Sequence, residues 1–142
     1  MTAASRLIIL LLGNTSGDEF AQTAIAMPVL VFASLALMNL TMAGFASVNA
    51  NNAANYGARV GSVHQQESGS AAYQAAMQSV SYAKIGDYSV NVTGGGFPGA
   101  QINVTVTWTV PNFLGSLAAF LGGNLSQDFS GTTVSIFRQE GW

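Results

Sequence analysis

The sequence predicts an α+β chain: a long N-terminal helix carrying a small head made of a short helix, an antiparallel β-hairpin, a covering helix and a final strand. Three observations predict it. No charged side chain occurs from Phe20 to Ala58, apolar and polar residues alternate strictly from Ile102 to Val110, and apolar residues recur at helical spacing just after Pro111.

The apolar centre of the first run, Ala24 to Val48, would form about 37 Å of helix at 1.5 Å per residue, against a hydrocarbon core of about 30 Å. Ile25, Val29, Leu30, Val31, Phe32, Leu35, Leu37, Leu40 and Phe45 each favour lipid by about 0.3 to 0.6 kcal/mol, and Ser34, Asn39 and Thr41 oppose it. The expected span is Pro28 to Ala46, with Asn39 in the membrane and Ser47 to Ala58 as a wet stalk. Before it, Leu7 to Leu12 is apolar but too short to span, and it lacks the Ala-x-Ala site of an ordinary secretory signal. Residues 1–17 are therefore expected to be a leader, 18–66 the membrane and stalk helix, and 67–142 the head.

A break is expected at Glu67-Ser68-Gly69. Ser70 then caps a second helix bearing Tyr73, Ala76, Met77 and Val80, and Gly86 ends that unit. Tyr88, Val90 and Val92 form one face of a strand, and Gly94 to Gly99 connects it to the strand from Ile102 to Val110. Asn112 is the expected cap of a covering helix with Phe113, Leu114, Leu117, Ala118, Phe120 and Leu121 on its apolar face, ending at Gly122-Gly123. Thr132 to Gln139 is the last strand.

Charged residues make up 7% of the chain, where about 25% is usual. Arg6, Arg59, Lys84 and Arg138 are scattered, so the chain has no basic patch for phosphates and nucleic acid is not an expected partner. With no cysteine there is neither a disulfide framework nor thiolate chemistry. His64 and Glu67 fall short of the three or four ligands of a zinc site. Asp87, Asp128 and Glu140 stand singly, and Gly94-Gly95-Gly96 lacks the Lys-Ser/Thr of a phosphate cradle. No catalytic, cofactor or metal site is expected, and the chain reads as a non-enzyme. Asn-x-Ser/Thr triplets begin at Asn14, Asn39, Asn91, Asn103 and Asn124. With Asn14 in the leader and Asn39 in the membrane, three positions remain open to a sugar.

The order of these features resembles that of the TadE/TadG-like minor pilins of the tight adherence type IV pilus. Gly17 stands as the cleavage glycine, Gln22 as the fifth mature residue, and Pro28 follows a short apolar step. Asn52-Ala53-Ala54-Asn55-Tyr56-Gly57-Ala58-Arg59 and Ile102-Asn103-Val104-Thr105-Val106 before Pro111 match further segments, and Val134 to Glu140 is similar to the last strand. The resemblance implies processing between Gly17 and Asp18 by a prepilin peptidase, with membrane lipid around the helix before assembly. It then implies docking on other pilin subunits through Gln22 and Glu19. Helix packing would use the region of Pro28 and the small surfaces of Ala36, Ala43, Gly44 and Ala46. Two departures stand out. The family usually has glutamate where this chain has Gln22, so a carboxylate to pair with a neighbour's free amine is missing, and Arg6 lies far from Gly17. A membrane-anchored extracytoplasmic binding module that never polymerises is the alternative reading.

Overall fold

A computed structural model describes residues 16–120, 122–123 and 127–141. Its elements are α1 (Ser16–Val63), α2 (Ser68–Ser81), β1 (Asp87–Gly94), β2 (Gln101–Val110), α3 (Phe113–Phe120) and β3 (Phe129–Arg138). The fold is α+β, with a long apolar N-terminal helix and a three-stranded antiparallel sheet ordered β1-β2-β3. The chain packs as two units, Met1–Ala36 and Leu37–Trp142.

In the second unit, the period-two alternation of β2 sets the sheet's two faces. Ile102, Val104, Val106 and Val110 are buried, whereas Asn103, Thr105, Thr107 and Thr109 point the other way and stay half-exposed. Val90 lies opposite Val106 and Val92 opposite Val104, so β1 extends the apolar face. On β3, Phe137 pairs with Ile102 and Gly131 with Trp108. A Cβ on Gly131 would fall 2.6 Å from the Trp108 indole, so this glycine makes room for the ring.

The sheet is covered by α1 and α2. Ala50, Ala53, Ala54 and Ala58 of α1 join Ala72, Ala76 and Val80 of α2 and Ile102, Val104 and Val106 of β2 in one core cluster. One face of Ser47 to Ala58, expected as a wet stalk, is the floor of this core, and the second unit includes the helix from Leu37 onward. Asparagines on the outer face gave the segment its wet character. The two helices meet through small residues. A Cβ on Gly57 would lie 2.7 Å from the Ala72 carbonyl oxygen and 2.8 Å from Ala76 Cβ, and one on Gly61 would lie 2.7 Å from Ala72 Cβ. Only glycine allows so close an approach.

The join between α1 and α2 also differs from expectation. Ser70 does not cap α2, which starts two residues earlier. Glu67 is the N-cap in the left-handed region at φ 55° without a side-chain cap, and its carbonyl accepts the Ala71 N–H at 3.0 Å. Glutamate there costs about 1–2 kcal/mol relative to a relaxed backbone. The core face of α2 is Ala72, Ala75, Ala76 and Val80, so Tyr73 and Met77 turn outward.

The expected hairpin, final strand and Asn112 cap are present, the strands with shifted ends. Asn112 Oδ1 accepts the Leu114 N–H at 3.0 Å. The covering role assigned to α3 passes to α1 and α2. In α3, Ala118 is buried but Phe113 stays 42% exposed. The side chains of Leu117 and Phe120, and the whole of Leu121, lie outside the described residues.

Candidate functional site

Among the described residues of the first unit, α1 is mostly apolar and largely exposed, with Phe32 and Leu35 half-buried. Every residue from Phe20 to Val31 is exposed, among them Phe20, Ile25, Met27, Val29 and Leu30. By length and composition this helix is long and apolar enough to cross a membrane. Gly17, Asp18 and Glu19 fall in its first turn, and a Cβ on Gly17 would meet nothing within 4 Å. Gln22 borders a shallow strip with Ile25, Ala26, Val29 and Leu30, which share one face at helical spacing. Pro28 lies inside the helix, where its missing N–H leaves the Ala24 carbonyl without its helical donor. Ala36 is exposed. In the second unit Ala43 is half-buried and Gly44 exposed, with open space where a Cβ would stand. Residues 1–15 of the expected leader, with Arg6 and Asn14, lie outside the described residues, as does Asn124.

Asn39 falls inside the expected span. Its side chain is 1% exposed and faces protein. Nδ2 donates to Asn112 Oδ1 at 3.1 Å, and Oδ1 accepts the Phe113 N–H at 3.4 Å. Asn112 in turn donates its N–H to Asp128 Oδ1 at 3.1 Å and its Nδ2 to Gln127 O at 3.0 Å. This knot fastens the start of α3 and the approach to β3 onto α1. An isolated asparagine was visible in the sequence, but its partner 73 residues away was not.

A second knot is centred on Gln139, 2% exposed. Oε1 accepts the Gly96 N–H at 3.0 Å, and Nε2 donates to the His64 and Gln65 carbonyls at 2.9 and 3.2 Å. Ser68 Oγ accepts from Gly96 as well, at 3.1 Å. One side chain thereby joins the α1–α2 turn, the hairpin loop and the end of β3. Sequence reasoning missed it.

His64 and Glu67 are both exposed, and His64 Nδ1 donates to the Val60 carbonyl at 2.8 Å. Among the described residues no three His, Cys, Asp or Glu side chains gather into a metal-binding group. Of the triplet asparagines, Asn91 is exposed on β1, Asn103 is half-buried on the central strand, and Asn39 is buried. An open depression of about 300 Å³ lies among Phe45, Asn49, Asn52, Ser79, Tyr82 and Lys84.

Fold and site together define an α+β chain with an exposed apolar helix and a small three-stranded head. Compared with protein-family models, curated proteins and solved structures, the chain matches none.

Proposed function

We propose that the chain is a pilin-like structural subunit, similar to the TadE/TadG-like minor pilins of the tight adherence type IV pilus. It is held in the inner (cytoplasmic) membrane by the apolar part of α1 and processed by a prepilin peptidase between Gly17 and Asp18. It then assembles with other pilin subunits into a surface filament that supports adhesion. Gln22 and Glu19 serve docking, and Pro28, Ala36, Ala43 and Gly44 form the helix-packing surface.

The observation that carries this reading is the run of exposed residues from Phe20 to Val31, all uncharged, on one continuous helix. Lateral packing of such helices replaces lipid contacts by helix contacts when a subunit leaves the membrane. Intact-mass measurement of the protein from filaments tests it: the mature chain starts at Asp18, and a filament chain starting at Met1 contradicts the processing step. A second reading, the non-polymerising binding module, draws on the depression beside Tyr82 and Lys84, whose aromatic, amide and cationic groups suit a polar ligand.

A further inference from the structure

In the second unit, Leu37, Met38, Leu40 and Phe45 of α1 are exposed, with Leu37 at 65% and Leu40 at 68%. Phe113, at the start of α3, is exposed as well, and it is fastened to the same stretch of helix through Asn39. No charge occurs in α1 beyond Glu19 before Arg59, or in α3. The amide of Asn39, which would oppose lipid, is satisfied by Asn112 and Phe113.

We propose that Leu37, Leu40 and Phe113 form an apolar collar that seats the head on the surface of a phospholipid bilayer, with α3 in the boundary between headgroups and acyl chains. This rests on the membrane reading of α1 given above. Helix length argues for lipid as the occupant. Phe20 to Met38 spans about 28 Å, close to the hydrocarbon thickness of about 30 Å. A span that starts at Phe20 is therefore complete by Met38, eight residues before the Ala46 end expected from the apolar run. The protein covers the Ala118 side of α3, so the helix needs no polar face of its own to lie at an interface. With no basic residue between Lys84 and Arg138, seating depends on apolar burial.

The chain has no cysteine, so single-cysteine spin labels report cleanly on depth. The full chain is reconstituted in phosphatidylcholine vesicles as Phe113→Cys, Ala119→Cys, Leu30→Cys and Ile136→Cys, and the accessibility of each label to oxygen and to a water-soluble nickel complex is measured. Ala119 is an exposed α3 position, which guards against a disturbance specific to Phe113. The oxygen-to-nickel ratio at 113 and 119 is expected to exceed that at the exposed sheet position 136 by several-fold and to approach that at 30. Ratios at 113 and 119 equal to that at 136, with 30 still deep, overturn the collar and leave the membrane reading standing. Shielding of 113 from both reagents means that protein covers this face, and also overturns it. A nickel-accessible label at 30 refutes the membrane reading itself.

Discussion

Gln139 shows how much a single side chain holds in this head. Its amide serves the hairpin loop through Gly96 and the α1–α2 turn through His64 and Gln65, and its backbone bonds to Ala100 at 2.8 Å. Truncation removes the donor that Gln139 supplies to the His64 and Gln65 carbonyls and the acceptor it supplies to Gly96, at about 1–3 kcal/mol for each group that water cannot reach. Gln139→Ala is therefore expected to cost about 2–4 kcal/mol. Amide hydrogen exchange across Ile102 to Val110 should accelerate by roughly 30- to 1,000-fold, whereas the exposed Gln101→Ala should leave it near the wild-type rate. Such long-range polar ties are illegible in sequence because one glutamine among several polar residues carries no mark of its partners. The Asn112 cap was legible because its partner lies two residues away.

At the scale of elements, α1 is one helix with two different surfaces. Its apolar entry was plain from hydropathy, and β2 was plain from its alternation, since both patterns are local and periodic. The core-forming half was hidden because alanine and glycine bury little surface of their own and contribute by admitting a neighbour's backbone. The signal was nonetheless there, in Gly57-x-x-x-Gly61 and Ala72-x-x-x-Ala76. Two equivalent substitutions should consequently have opposite signs. Gly57→Ala drives a methyl into the Ala72 carbonyl and Ala76 and is expected to destabilise by about 1–3 kcal/mol despite better helix propensity. Gly44→Ala meets open space and should stabilise the isolated subunit by up to about 1 kcal/mol. Denaturation of the full chain in detergent, followed by exchange of the sheet amides, reads both.

For the whole molecule, the second unit has its own core, with both ends of its sheet tied down by the Asn39 and Gln139 knots, while the first unit exposes every residue from Phe20 to Val31. Under the proposed pilin-like function, this exposed stretch is where subunits associate. The most direct test is photo-crosslinking from a benzophenone side chain at position 36, in cells that produce the assembled structure, with adducts identified by mass spectrometry. Covalent adducts to a second copy of this chain or to another apolar-helix subunit are predicted. Lipid adducts alone, from material otherwise shown to be at the cell surface, would contradict assembly through α1.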